Sequence, residues 1–105
     1  MTRASVKAWL HFREPEPPAD LAAKLAQCVD SAPEAVLAGA SLPEVIGALG
    51  TWLLDSVVEG QGTGHDTALD LLAADAFVTY AFEAASEEGT DVAGLANQLL
   101  AKVSA

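Results

Sequence analysis

Between Leu25 and Ala101 the chain has no lysine and no arginine, although twelve acidic residues fall there, from Asp30 and Glu34 to Glu88 and Asp91. The five basic residues, Arg3, Lys7, Arg13, Lys24 and Lys102, stand toward the two ends, and the formal net charge is -10. A body with that field repels phosphate backbones and anionic lipid headgroups, and it lacks the arginine and lysine footprint of nucleic-acid binding. Neither nucleic acid nor membrane is therefore an expected partner. Three readings of the acidity remain: solubility, a high-salt habitat and attraction of a basic protein partner.

Cysteine is nearly absent. Cys28 stands alone at an apolar helix position, which excludes an intrachain disulfide and fits a reducing compartment. Its only basic neighbour one turn away is Lys24, so the residue reads as a small buried hydrophobe before it reads as a catalytic thiolate. Long apolar runs are also missing: the longest stretches are interrupted by acids, and the apolar stretch before Arg13 and Glu14 is too short for a secretory leader. A cytoplasmic location is the expectation. Aromatic residues make up only 6% of the chain against 51% hydrophobic residues overall, with alanine abundant. That is enough apolar surface to fold, unlike a disordered acidic tail, and the alanine favours helix over sheet.

Three regions follow from the punctuation: an arm over 1–13, a proline-rich linker over 14–18 and an acidic helical domain over 19–105. In the arm, Val6, Ala8, Leu10 and Phe12 alternate with more polar neighbours as in a strand, while a helix beginning after Thr2 fits nearly as well. Pro15, Pro17 and Pro18 favour an extended linker. The basic arm and the acidic body are electrostatically complementary, so the arm is expected to pack on the body of its own chain or of a partner subunit.

The domain carries explicit helix boundaries. A first helix spans about Asp20 to Asp30, with Leu21, Leu25, Cys28 and Val29 on one face. Ser31-Ala32-Pro33-Glu34 and Ser41-Leu42-Pro43-Glu44 both have capping-box spacing, the first opening a short helix that ends near Gly39 and the second a helix to about Glu59. In the latter, Val45, Ile46, Leu49, Trp52, Leu53 and Val57 share an apolar arc, and Thr51, Asp55 and Glu59 lie opposite. Gly47 and Gly50 inside it mark close helix contact. After Gly60 to Gly64, a long helix runs from about Asp66 to Glu88 with apolar residues over more than half its circumference. Gly89 ends it and Thr90 caps a last helix bearing Leu95, Leu99 and Val103. The predicted fold class is all-α, a small helical bundle of four to five helices with an N-terminal arm that is a strand or a short helix. The wide apolar surface predicts a homodimer.

Chemistry-bearing patterns are sparse. Gly62-x-Gly64 lacks the preceding strand and following lysine of a phosphate loop. His65-Asp66 is similar to the paired ligands of the HD-type metal phosphohydrolases, which need further histidines, and the one other histidine is His11 in the arm. No Glu-x-x-His pair or zinc spacing is present. No catalytic residue, cofactor or metal ligand is assigned, and enzyme activity is not the leading expectation. A polar strip on the long helix, Asp75, Thr79 and Glu83 with Ser86, remains as a candidate site. Buried, its carboxylates could serve as acid and base or bind a divalent cation, and exposed, it is a solvated edge. Trp9, Phe12 and Trp52 are the candidate interface residues.

Gly60-Gln61-Gly62-Thr63-Gly64-His65, followed by Leu71-Leu72-Ala73-Ala74-Asp75-Ala76-Phe77 and Thr79-Tyr80-Ala81-Phe82-Glu83, resembles a core helix of the isoprenyl diphosphate synthases with its Gly-Gln-x-Thr-x-His stretch. The resemblance covers less than a quarter of the chain. It implies a related helix packing or a pocket for an apolar chain. Those enzymes use two aspartate-rich motifs for magnesium and basic residues for diphosphate, and this chain has neither, so synthase activity is not implied. Three expectations go forward: a homodimeric interaction or regulatory module with an acidic surface, a carrier of a lipid-like or isoprenoid-like apolar ligand, and a small enzyme using Asp75 and Glu83.

Overall fold

Thr2 and Ser5 decide the conformation of the arm. In the computed structural model, which describes residues 2–14, 16–60, 65–88 and 92–104, with backbone alone at 60, 65, 66, 92 and 102–104, the arm is helix α1 (Arg3–His11). Thr2 Oγ1 accepts the Ser5 backbone N–H at 3.1 Å, and Ser5 Oγ accepts the Thr2 backbone N–H at 3.2 Å, a reciprocal cap that satisfies two end donors. The strand alternative is thereby set aside. The helical period sends Val6 inward to full burial, brings Trp9 and Leu10 partly under cover one turn later, and turns Ala8 and Phe12 outward.

Pro18, at φ -53° and ψ 150°, carries the extended backbone of the linker up to α2 (Ala19–Ser31). This helix buries Leu25, Cys28 and Val29. The predicted capping box at Ser31 does not form: α2 continues through Ser31, Ala32 turns to extended backbone, and the following 3₁₀ turn (Glu34–Leu37) begins after Pro33 with no side-chain cap. The Glu34 carboxylate is engaged instead by Arg3. The second box is realised in extended form at the start of α3 (Leu42–Gly60). There the Glu44 N–H donates to Ser41 Oγ at 3.4 Å, while Glu44 Oε2 reaches past Ser41 to accept the Ala40 N–H at 3.1 Å.

Helices α4 (His65–Glu88) and α5 (Val92–Ser104) complete an all-α bundle of five α-helices among the described residues. Its radius of gyration of 12.9 Å agrees with about 13 Å for a folded chain of roughly 100 residues, so the arm lies against the body and does not trail from it. The helix breaks expected at Gly60 to Gly64 and at Gly89, and the Thr90 cap, fall largely or wholly outside the described residues.

The most extensive contact is between α3 and α4. Val45, Ile46 and Leu49 from α3 and Phe77 from α4 are fully buried, and Ala73, Ala81, Ala84 and Ala85 keep the α4 surface low enough for backbones to approach. Gly50 is the closest point: a β-carbon there would stand 3.0 Å from Val78 Cγ2, 3.2 Å from Phe77 Cβ and 3.3 Å from the Ala74 carbonyl oxygen. At Gly47 the obstacle is Leu99 Cδ2 of α5, at 2.8 Å. Thr51, expected opposite the apolar arc, is buried. Its hydroxyl donates to the Ala48 carbonyl at 3.1 Å, so it needs no water and is tolerated against α4 and α5.

The two glycines should respond differently to alanine. Gly47→Ala meets only the end of a flexible leucine and gains about 1 kcal/mol of helix propensity, so its urea midpoint should stay near that of the parent. Gly50→Ala meets a neighbouring helix close to its backbone and should lose about 1–2 kcal/mol, the overpacking cost less the same gain in propensity.

Candidate functional site

Leucines of α3, α4 and α5 that the core does not take up open a groove. Leu53 and Leu99 are buried, while Leu54 and Leu100 point into a groove of about 520 Å³ between the three helices. Leu71, Val78 and Phe82 of α4 form its other wall, with Gly50 and Ala74 at its floor, where the close approach leaves little side-chain volume. Leu71, Leu72 and Leu100 are 46, 58 and 63% exposed, a row of apolar surface at and beside the mouth. Among the described residues two polar ones reach the lining, Thr51 and Asp75, and Asp75 is the one ionisable group.

The polar strip is the solvated edge of α4. Asp75, Thr79 and Ser86 are exposed and Glu83 is half-buried. Asp75 and Glu83 are eight residues apart on one helix, roughly 12 Å along its axis, too far to share a proton or one cation. They also serve different surroundings. Asp75 faces the groove and makes no hydrogen bond or ion pair among the described residues, whereas Glu83 lies 3.9 Å from the guanidinium of Arg13.

Arg13 is the centre of a clamp that fixes the arm to α4. Its guanidinium stacks 3.6 Å above the Trp9 ring, its Nε donates to the Trp9 carbonyl at 3.1 Å, and its Nη1 donates to Glu87 Oε2 at 2.6 Å. The Trp9 indole N–H donates to Glu87 Oε1 at 3.2 Å, and the ring meets Tyr80 edge-on with centroids 6.0 Å apart. The hydrogen bond from Arg13 is the main cause that holds the Glu87 carboxyl below its ordinary range. Burial, with the nearby Glu83 charge, pushes the Tyr80 phenol up. At the other end of α1, Arg3 donates to the Val29 carbonyl at 2.6 Å and to Glu34 at 2.9 Å, and Lys7 pairs with Asp30 at 3.1 Å. Arg3 thus covers carbonyls left open at the end of α2.

The interface candidates do not converge. Trp9 is turned onto its own chain, Phe12 is 73% exposed on the outer side of the arm, and Trp52 is half-buried against the core and outside the groove lining. Cys28 is buried in the core, as a small hydrophobe would be, and its basic neighbour Lys24 pairs with Asp70. The Lys24 ammonium lies 2.6 Å from Asp70 Oδ1, an atom that is buried without a directed hydrogen bond and so depends on that charge. Burial pushes the Cys28 thiol up, with Lys24 opposing and Asp70 reinforcing the shift. The side chains of His65 and Asp66 lie outside the described residues. Among the described residues no helix is long and apolar enough to cross a membrane, and no three His, Cys, Asp or Glu side chains are grouped to hold a metal ion.

No family model, curated protein or solved structure matches the chain.

Because folding lowers the Glu87 pKa below its ordinary 4.5, the clamp stabilises the fold in full above that value and loosens as the pH falls through the folded-state pKa. In an NMR acid titration the Trp9 indole N–H signal should move with the protonation of Glu87, at a midpoint below 4.5. Arg13→Gln should raise that midpoint. An unchanged midpoint in the variant would show that Arg13 does not set it.

Proposed function

We propose that this chain is an interaction module that docks the apolar face of a helix from another polypeptide in the groove between α3, α4 and α5. One observation carries this reading: leucines 71 and 100 remain exposed in the wall of an open apolar groove of about 520 Å³, instead of closing over it. An amphipathic helix laid in such a groove is held by anchors at i, i+3, i+4 and i+7, and the three walls offer leucine, valine and phenylalanine surface to receive them. A cytoplasmic setting with Cys28 kept reduced goes with this reading.

A second copy of the chain is the alternative occupant, favoured by the same exposed leucines, and it corresponds to the homodimer that the wide apolar surface calls for. Its cost is electrostatic, since each copy brings a formal charge of -10 to the contact. A carrier of an apolar small molecule fits less well. Such sites enclose most of the ligand, and here Leu71 and Leu100 stand in solvent at the mouth. For the carboxylate enzyme, the separation of Asp75 from Glu83 removes the shared acid–base pair on which it would rest.

The test uses a fluorescein-labelled model helix bearing leucines at i, i+3, i+4 and i+7, followed by anisotropy, alongside sedimentation equilibrium of the protein alone. Saturable binding is expected, weakened at least about ten-fold by Leu71→Glu together with Leu100→Glu, the scale of losing one or two buried leucine contacts. Both substitutions are at exposed positions, so the circular dichroism melt should be unchanged. Equal binding by parent and variant would rule out the groove. A mass of two chains that reverts to one in the variant would assign the groove to self-association.

A further inference from the structure

We infer that the occupant of the groove is a cationic amphipathic helix, which seats its apolar face on Leu54, Leu71, Val78 and Leu100 and sets a lysine or arginine beside Asp75. This rests on the docking reading above and adds the chemistry of the partner.

Asp75 is placed where an occupant must deal with it. Among the described residues it is the one ionisable group in the lining of the groove, one helical turn from Leu71 and from Val78, and it makes no hydrogen bond or ion pair with them. Covering a carboxylate with apolar surface removes its water, and the loss is costly unless a charged or hydrogen-bonding partner replaces it. No cation is paired with it among the described residues. Arg3, Lys7, Arg13 and Lys24 are committed to Glu34, Asp30, Glu87 and Asp70, and the one lysine or arginine of the three groove helices is Lys102 near the end of α5, whose side chain lies outside the described residues.

Charge then selects among occupants. A neutral apolar helix would strand the carboxylate, and a second copy of this chain would bring a second Asp75 and a further net charge of -10. A helix with a cation one turn from its leucine anchors would seat both. Asp55 of α3 strengthens the preference. It is exposed beside Leu54 and four residues after the groove residue Thr51, so the α3 rim is acidic as well.

The experiment compares three labelled model helices that differ at one position flanking the leucines, carrying Lys, Gln or Glu there, against the full chain and against Asp75→Asn. On the parent protein at low salt the Lys peptide should bind about five-fold more tightly than the Gln peptide, and the Glu peptide more weakly than either, the scale of one ion pair at a surface. In Asp75→Asn the preference for Lys over Gln should fall to the small remainder that Asp55 and the net charge of -10 supply, while the Gln peptide keeps or improves its affinity. In about 0.5 M salt the preference on the parent should shrink, because screening reaches within a few ångströms. If the Gln peptide binds the parent as tightly as the Lys peptide, or if the preference persists undiminished in Asp75→Asn, the inference is overturned and docking stands. If none of the three binds, both fall. If the protein proves dimeric through the groove, the second copy is the occupant and the cationic helix is not.

Discussion

Gly50 governs the distance between α3 and α4, and much else in the molecule follows from that distance. With no side chain at this position, the α3 backbone lies within van der Waals reach of Val78, Phe77 and the Ala74 carbonyl. The alanines of α4 continue the close seam, and Phe77 fills the space that remains. Two helices drawn so near to one another cannot cover the outer halves of their own surfaces. Leu54, Leu71, Val78 and Phe82 therefore diverge from the seam, α5 spans part of the gap with Leu99, and what is left uncovered is the groove.

A different force holds the arm. Only Val6 of α1 is fully buried, and the remaining attachment is largely ionic, with Arg3 and Lys7 at the end of α2 and Arg13 with Trp9 on the last turns of α4. Exposed ion pairs of this kind contribute little one at a time, typically under about 1 kcal/mol, so their effect here depends on several acting on one short helix. Arg13 is the least exposed of the group because the Trp9 ring shields one side of it. The body is thus organised by packing and the arm by charge.

Most of the fold was legible because its boundaries are chemical. Ser41-Leu42-Pro43-Glu44, the linker prolines and the glycine pair in α3 announced a helix start, an extended passage and a close contact, and each is found where expected. The box at Ser31 misled because the same residue types can end one helix as easily as begin another, and α2 runs on through Ser31 itself. The arm was ambiguous because a strand and a helix both accommodate Val6 and Leu10, and the deciding Thr2 and Ser5 bonds are local to its first turn. The groove was the hardest to foresee. The leucine doublets at 53–54, 71–72 and 99–100 offered apolar surface to spare, yet which leucines the core leaves over depends on the crossing of three helices: Leu53 and Leu99 are buried, and Leu71 and Leu72 are both exposed. Thr51 shows the limit from the other side: a hydroxyl satisfied within its own helix carries no mark in sequence of being buried.

The commitment of four cations inside the chain gives dissolved ions two opposing effects on the same molecule. Mobile cations gathered around the lysine-free helices relieve the repulsion among their carboxylates and favour the compact body. The same ions compete for the carboxylates that hold Arg3, Lys7 and Arg13, and so loosen the arm. A saline medium would therefore tighten the bundle while freeing α1 to sample positions away from it, and the two parts of this short chain would answer to the composition of their medium in opposite directions.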